Sequence, residues 1–385
     1  MKRKLNHTIK SLALALLFLS GCRDPFEPEV TDQDISLLVV EGFIETGGEG
    51  SEIILSRTNP IRSNQNFLPE SGASVFLKSE NGEEWVFQEA QAGVYTVSAS
   101  FDQGLKYQLG INLRNGQQYL SEPMTPIVTP EIEELGYLRD EAGVEIFVST
   151  KGNEEAQYFL WDYEEDWIFR PGVRSQFFFN PATKDVEFRK ADQKIDLCWK
   201  SNLFPKIILQ NASRFQDNTI LQRELVRIPL ESEKLMQRYS INVRQRAINQ
   251  ETYDFWEILR KNSDDIGGIF SPLPSLIRGN MKSLDPNGNN VIGMVSMGKS
   301  TSKRIYIDVE DVAPWPYFIQ EYEFCKLDQD TVLVADYERE FASGSRLPVI
   351  PVVVVTTTIG FRAATRQCTD CTLRGTNIKP DFWED

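Results

Sequence analysis

The sequence predicts a mainly β protein. Short segments rich in β-branched and aromatic residues recur along most of the chain, which is typical of strands. Tight-turn pairs separate several of them, and Asn81-Gly82 and Asn115-Gly116 are typical of hairpin turns. The best helical spacing of apolar residues is confined to residues 250–262. We therefore expect an N-terminal immunoglobulin-like or transthyretin-like sandwich, then a larger β-rich domain with one or two short helices.

The N-terminal sandwich is predicted to occupy residues 35–130. Its seven predicted strands are residues 37–44, 52–56, 73–79, 84–89, 93–99, 107–113 and 118–121. Pro123, Pro126 and Pro130 follow these strands. Because proline restricts the backbone and interrupts strand pairing, this series predicts a stiff connector and a domain boundary.

The second predicted domain covers residues 131–385. Its predicted strands are residues 145–150, 157–168, 176–179, 207–211, 239–248, 291–297 and 304–309. In the helix, Phe255, Ile258 and Leu259 share one face, and Gly267-Gly268 lies beyond its end. The late apolar run at 349–361 is too short for a membrane helix and predicts a buried strand.

The first 21 residues predict a lipoprotein signal peptide. Four basic residues precede an apolar stretch at 12–19, which is too short to remain as a membrane-spanning helix. Leu19-Ser20-Gly21-Cys22 fits the bacterial lipobox, in which the cysteine is acylated and becomes the first mature residue. The alternative is a chance cysteine after an ordinary secretory signal. With about 0.8 kcal/mol per buried methylene, several acyl chains would hold Cys22 durably on a membrane. The acidic, proline-bearing segment 22–34 predicts a flexible tether.

Charge and histidine content argue against several classes of function. The chain carries a formal charge of −15, and removing the four basic residues of the signal peptide lowers this to −19. Such an acidic body repels phosphate backbones, so we expect no nucleic-acid partner. The only histidine, His7, lies in the signal peptide. A mature chain without histidine lacks Ser-His-Asp and Cys-His catalysis and histidine metal sites, so we expect no enzyme, no cofactor and no metal.

The four cysteines beyond Cys22 predict disulfides. They form an even set in an oxidising compartment, but the sequence leaves three pairings open, and the four residues are Cys198, Cys325, Cys368 and Cys371. The Cys-x-x-Cys spacing of the last two also suits a redox dithiol or half of a zinc site. No apolar helix follows Cys371 and the other two cysteines are isolated, so structural disulfides are the favoured interpretation.

The most informative candidate for a binding site is the aromatic and acidic segment 157–168. Aromatic rings beside carboxylates can form a sugar or peptide subsite, and the candidate ligand-binding residues are Trp161, Tyr163, Glu164 and Trp167. The alternative is a strand whose side chains alternate between core and solvent. The neighbouring run Glu164-Glu165-Asp166 also raises a carboxylate-dependent glycan hydrolase as a hypothesis.

Several segments in a fixed order resemble one family. They include Leu38-Val39-Val40-Glu41-Gly42, the aromatic segment 158–167, Cys198-Trp199, Gly267-Gly268-Ile269-Phe270 and the C-terminal run 379–383. The chain resembles a Bacteroidota outer-membrane lipoprotein family of unknown function, domain-of-unknown-function family 4249. The resemblance covers essentially the whole mature chain. It implies lipoproteins whose genes often adjoin those of TonB-dependent receptors, and it implies no catalytic residues.

These observations lead to one main hypothesis and two alternatives. We expect an outer-membrane-anchored, non-enzymatic accessory of a TonB-dependent β-barrel transporter, which captures a nutrient ligand or acts as a lid. Acidic residues soon after Cys22, namely Asp24, Glu27 and Glu29, loosely resemble surface-export signals, so we expect the protein body to face the cell surface. The second hypothesis is an envelope scaffold or adhesin without a small ligand. The glycan hydrolase is the third.

Overall fold

The computed structural model describes residues 36–58, 67–203, 207–264, 279–285 and 291–384. The signal peptide, Cys22, the predicted tether and Gly267-Gly268 lie outside the described residues. Residues Leu37–Asp385 form one compact unit. Within the described ranges, every helix is too short or too polar to cross a lipid bilayer.

Twenty-four strands and three α-helices are described. The first nine strands are β1 (Leu38–Glu45), β2 (Gly47–Arg57), β3 (Ser74–Ser79), β4 (Glu84–Val86), β5 (Gln88–Gln91), β6 (Val94–Ser100), β7 (Tyr107–Asn112), β8 (Gln118–Ser121) and β9 (Ile127–Val128). The next nine are β10 (Ile132–Asp140), β11 (Gly143–Lys151), β12 (Tyr158–Phe169), β13 (Phe177–Asn180), β14 (Asp185–Phe188), β15 (Cys198–Leu203), β16 (Ile208–Asn211), β17 (Thr219–Pro229) and β18 (Arg238–Ile248). The remaining elements are α1 (Gln250–Asp264), β19 (Met281–Ser283), β20 (Val291–Lys299), β21 (Thr301–Asp308), β22 (Thr331–Leu333), α2 (Tyr337–Phe341), β23 (Arg346–Val354), β24 (Thr357–Thr365) and α3 (Arg366–Thr369).

The prediction of a mainly β fold is confirmed. The predicted helix 250–262 is also confirmed, since α1 covers Gln250–Asp264. One strand prediction is wrong. The run 349–361 is not a single buried strand but parts of β23 and β24, which form an antiparallel hairpin. Its tip is exposed, and Val355 has a left-handed backbone with φ of 58°.

Two sheets form the N-terminal sandwich. The first sheet has the order β5-β6-β2-β1-β20-β9, and the second has the order β19-β8-β7-β3-β4. Alternating residues of each strand point inward, so that Leu38, Val40 and Ile44 of β1 pack with Leu77 and Leu109 of the second sheet. This burial of apolar surface is the main force that holds the two sheets together.

Two strands from beyond residue 131 complete this sandwich. β20 pairs in parallel with β1 over its whole length, and β19 pairs with β8. The predicted division at residue 130 therefore does not separate the strands into two groups, because residues 281–299 return to the N-terminal sheets. Hydrophobic patterning locates strands along the chain, but it does not say which strands pair at long range.

A second sandwich follows in the chain. One of its sheets has the order β10-β11-β17, and the other has the order β15-β12-β18-β21 with β16 also paired to β12. Its core includes Val144, Ile146, Phe159, Trp161 and Ile241, all with no exposed surface. The C-terminal hairpin β23–β24 and β22 form a smaller sheet, whose buried residues pack with α2 and with the β13–β14 hairpin.

Two disulfides tie the C-terminal segment to earlier parts of the chain, as the sequence predicted. Cys371 bonds to Cys198 at the start of β15, and Cys368 in α3 bonds to Cys325. The two cysteines of the Cys-x-x-Cys motif therefore pair with separate partners and not with each other.

Candidate functional site

The four predicted ligand-binding residues of β12 are not brought together on one surface. Trp161, Tyr163 and Trp167 are at most 4% exposed and belong to the core of the second sandwich. Glu164 points to the opposite face of the sheet and is exposed. The segment is therefore a strand whose side chains alternate between core and solvent, which was the alternative interpretation.

Glu165 shares the core face with these aromatic rings. Its carboxylate has no exposed surface and accepts hydrogen bonds from Lys234 Nζ at 2.7 Å and from the Tyr239 hydroxyl at 2.7 Å. Asn202 Nδ2 donates a further bond at 3.2 Å. Glu164 and Glu165 thus lie on opposite faces of the sheet, and they do not flank a common position where a glycosidic bond could lie.

A cavity of about 400 Å³ lies between the two sandwiches. One wall is the outer face of the first sheet, formed by β1, β2 and β20. The other wall is the polar face of the sheet that contains β12 and β18, and Trp256 of α1 contributes to the lining. The lining residues are Glu41, Gly42, Phe43, Glu45, Gly50, Glu52, Ile54, Leu160, Arg244, Arg246, Trp256 and Ser296.

Strand alternation places three carboxylates on the first wall. In β1, Leu38, Val40 and Ile44 enter the core, so the intervening Glu41 and Glu45 project from the other face. Glu52 of β2 lies beside them because it pairs with Phe43 of β1. This wall is therefore acidic.

Strand alternation places two guanidinium groups on the second wall. Val243 and Ala247 of β18 enter the core, so Arg244 and Arg246 project toward the cavity. Both arginines bind the same carboxylate, Asp162 of β12, with Arg244 Nη2 at 2.9 Å from Oδ1 and Arg246 Nη1 at 2.6 Å from Oδ2. Two positive charges thus share one negative charge.

In the ranges that the structure describes, the two charged walls are not joined by a direct ion pair, although Glu45 attracts both Arg244 and Arg246 from farther away. Among the described residues, no guanidinium lies within ion-pair distance of Glu41, Glu45 or Glu52. Glu45 is only 7% exposed, and its Oε2 accepts a hydrogen bond from the Ser300 amide at 3.0 Å. Within the described part of the chain, its Oε1 has no hydrogen-bond partner, and neither has Arg246 Nε. Other buried atoms of the described residues, such as Trp199 Nε1 and Arg223 Nε, also lack a partner, so these two atoms support a binding site only together with the cavity beside them.

The surroundings also alter the acidity of the lining groups. Partial desolvation in the concave wall raises the pKa of Glu41 above its ordinary value. Burial lowers the pKa of Arg246, and the attraction of Asp162 and Glu45 opposes this effect. Both shifts follow from burial, which disfavours the charged form of each group. Burial also acts to lower the pKa of Arg244, but the attraction and hydrogen bonding of Asp162, with the charge of Glu45, raise it above its ordinary value.

Apolar side chains line the rest of the cavity. Ile54 and Leu160 come from opposite walls, and Trp256 is half-buried at the side. The Arg246 guanidinium lies 4.9 Å from the centre of the Phe43 ring, which fixes its orientation by a cation–π contact. In the described residues, no group of three or more His, Cys, Asp or Glu side chains is arranged to hold a metal ion. The lining is suited to binding a molecule that has charged ends and an apolar part.

Comparison with known families identifies a match. The sequence profile of a domain of unknown function, DUF4249, matches residues 23–304. The chain belongs to this family. A search of curated proteins finds no match to the chain.

The DUF4249 match includes every residue that lines the cavity, from Glu41 to Ser296. It ends within β21, so β22–β24 and the cysteines Cys325, Cys368 and Cys371 lie beyond the matched region. The first sandwich of this DUF4249 protein, most of the second and the cavity between them thus fall within the family's own segment.

Sequence reasoning missed the cavity, although one of its signals is readable. In residues 38–45, the apolar residues Leu38, Val40 and Ile44 share one face and Glu41 and Glu45 share the other, which predicts carboxylates on the outer face of this strand. The opposing arginines could not have been assigned to it. Their place across the cavity depends on how the two sandwiches pack, and no local pattern encodes that packing.

Proposed function

We propose that this protein is a lipid-anchored, non-enzymatic accessory of a TonB-dependent β-barrel transporter, and that it captures a ligand in the cavity between its two sandwiches. It would be anchored through Cys22 in the outer membrane, with its body facing the cell surface. The captured nutrient would then pass to the barrel.

The observation that carries the proposal is a cavity in which a wall of carboxylates faces a wall of guanidinium groups, with no direct ion pair between them among the described residues. Glu45 Oε1 and Arg246 Nε are both buried without partners among the described residues, on opposite sides of a cavity large enough for a small molecule.

Two further observations support binding over catalysis. The chain beyond the signal peptide contains no histidine, which is the commonest general acid and base in enzymes. The paired carboxylates that suggested a hydrolase point to opposite faces of β12, and Glu165 is already hydrogen-bonded to Lys234, Tyr239 and Asn202. The anchor and the transporter partner are supported by the Leu19-Ser20-Gly21-Cys22 lipobox and by the family resemblance.

Affinity purification tests this proposal directly. The tagged, lipidated protein would be isolated from outer membranes in mild detergent, and co-purifying proteins would be identified by mass spectrometry. We expect a stoichiometric TonB-dependent β-barrel and an acylated Cys22. The Cys22→Ala variant is the control, because it should leave the membrane fraction. Recovery of the acylated lipoprotein without any barrel would contradict the accessory function.

One observation favours the alternative of an adhesin or scaffold. The tip of the β23–β24 hairpin exposes Val353, Val354 and Val355, the last with 95% of its surface open. Exposed apolar clusters of this kind often mark contacts with other proteins. If the barrel co-purifies with the wild type but not with a Val354→Thr/Val355→Thr variant, the hairpin is its contact surface. If a non-transporter protein is recovered in its place, the scaffold function is favoured.

A further inference from the structure

We infer that the cavity binds a short peptide with free termini, whose ammonium group meets the glutamate wall and whose carboxylate meets Arg244 and Arg246. The inference rests on the proposed function of ligand capture and names the class of ligand.

The acidic wall calls for a cation. Glu41, Glu45 and Glu52 line the cavity without an arginine or lysine partner among the described residues. Glu45 is the anchor of this wall because it is 7% exposed and its Oε1 lacks a hydrogen-bond donor within the described chain. An ammonium group has three donors, so it can satisfy this oxygen and still reach a second carboxylate.

The basic wall calls for an anion. Among the described residues, Asp162 is the only carboxylate in a direct ion pair with Arg244 or Arg246, and Glu45 attracts both guanidinium groups from farther away. Arg244 is 45% exposed, so part of its fork of donors is open to the cavity. The guanidinium fork suits a carboxylate, which can accept two parallel hydrogen bonds from it.

The space between the walls fits the body of a small peptide. The cavity volume of about 400 Å³ lies within the range of sites for small organic ligands. Ile54, Leu160 and Trp256 provide an apolar lining for a side chain. Because they come from β2, β12 and α1, they surround the space between the two charged groups.

Other ligand classes fit these features less well. A neutral sugar would bring no charged group to Glu45 or to Arg244 and Arg246. A polyamine has no anionic group for Arg244 and Arg246, and a phosphate or other simple anion would be repelled by three carboxylates. A zwitterion with an apolar part satisfies both walls and the lining at once.

A thermal-shift titration tests the peptide assignment. The full mature protein in mild detergent would be titrated with an equimolar mixture of tripeptides with free termini, and with the same mixture after N-acetylation or C-amidation. A ligand that binds only the folded state raises Tm in proportion to its affinity. We expect the free mixture to raise Tm, and each modified mixture to bind at least tenfold more weakly.

Variants locate the binding to the two walls. Glu45→Gln preserves the side-chain shape and an acceptor for the Ser300 amide, and Arg244→Gln removes a partly exposed charge. Each should weaken binding of the free mixture at least tenfold while the unliganded protein keeps its fold. Glu49→Gln is the matched control, since Glu49 lies exposed on β2 and does not line the cavity.

The outcomes separate this inference from the proposed function. No shift with the free mixture, equal shifts with all three mixtures, or unchanged binding by Glu45→Gln and Arg244→Gln would each overturn the peptide assignment. The accessory function itself fails only if no barrel co-purifies with the lipidated protein. A barrel recovered together with a negative peptide titration would therefore reject the ligand class alone.

Discussion

Glu165 shows how a buried charge is accommodated within the second sandwich. Its carboxylate has no exposed surface, and it is held by the Lys234 ammonium, the Tyr239 hydroxyl and the Asn202 amide. Lys234 also lies 5.4 Å from the centre of the Trp167 ring. The acidic residues of segment 164–166 were visible in the sequence, but the partners of Glu165 come from β15, β18 and the turn before β18. This role could therefore not be predicted from the segment alone.

Removing the lysine should destabilise the fold markedly. Lys234→Ala leaves Glu165 buried with its charge uncompensated, and we expect the free energy of unfolding to fall by about 3 kcal/mol. Urea-induced unfolding measures this loss. The control is Lys184→Ala, which breaks an ion pair whose two side chains are 65% and 64% exposed and should change stability by less than about 0.5 kcal/mol. Equal effects of the two substitutions would contradict the structural role of the buried pair.

We expect the buried phenol of Tyr337 to make the protein less stable at alkaline pH. Tyr337 is 2% exposed, and burial raises its pKa to about 12 from an ordinary value of 10.0. The unfolded chain therefore loses this proton first as pH rises. The free energy that protonated Tyr337 contributes to folding is complete below about pH 10. It is lost between about pH 10 and 12, and the total loss is roughly 2–3 kcal/mol.

The Tyr337→Phe variant tests this assignment. Phenylalanine keeps the ring in the small C-terminal core but cannot titrate. We expect the free energy of unfolding of the variant to fall less steeply between pH 10 and 12 than that of the wild type, when both are followed by urea titration. Parallel pH profiles of the two proteins would show that Tyr337 does not titrate differently in the folded and unfolded states.

Among the strands, the alternation of apolar and polar residues can be recognised in the sequence where a strand has one buried face. β1 is the clearest case, because Leu38, Val40 and Ile44 are buried while Glu41 and Glu45 project from the opposite face. The run 349–361 is the opposite case. It is apolar throughout, so it has no alternation to mark the turn near Val355, and its exposed tip could not be distinguished from a buried strand.

Two glycines in hairpin turns are predicted to differ in how well they tolerate a side chain. Both have positive φ, 74° at Gly93 and 93° at Gly82. A Cβ at Gly93 would lie 2.6 Å from Leu55 O and 2.8 Å from Pro69 Cβ, whereas a Cβ at Gly82 would meet nothing within 4 Å. We expect Gly82→Ala to cost about 1 kcal/mol from backbone strain alone, and Gly93→Ala at least about 2 kcal/mol because steric overlap is added. Chemical denaturation of both variants checks the order, and a reversed order would contradict the close approach at Gly93.

At the scale of the whole molecule, long-range pairing determines what the sequence could not reveal. The predicted fold class is correct, and most strands are located close to their observed positions. The return of β19 and β20 to the N-terminal sheets places Ser296 beside Phe43 and Glu41 in the cavity wall. Such pairing depends on the complementarity of whole sheets. The acidic face of β1 could therefore be predicted from the sequence, whereas the cavity could not.

The two disulfides should contribute unequally to stability. The Cys198–Cys371 bond closes a loop with a sequence separation of 173, and the Cys325–Cys368 bond one of 43. Chain-entropy estimates give about 5 kcal/mol for the longer loop and about 4 kcal/mol for the shorter one. We expect the double variant Cys198→Ser/Cys371→Ser to unfold at lower urea concentration than Cys325→Ser/Cys368→Ser. The reverse order would show that native packing near the bonds outweighs loop length.

The most direct test of the account is a crystal structure of the mature protein purified from its own outer membrane and soaked with the free tripeptide mixture. We expect density for an organic molecule that bridges the two walls of the cavity, within hydrogen-bond distance of Glu45 Oε1 and of the guanidinium groups of Arg244 and Arg246. A cavity filled only by ordered water molecules that satisfy Glu45 Oε1 and Arg246 Nε would contradict the claim that these walls form a ligand site.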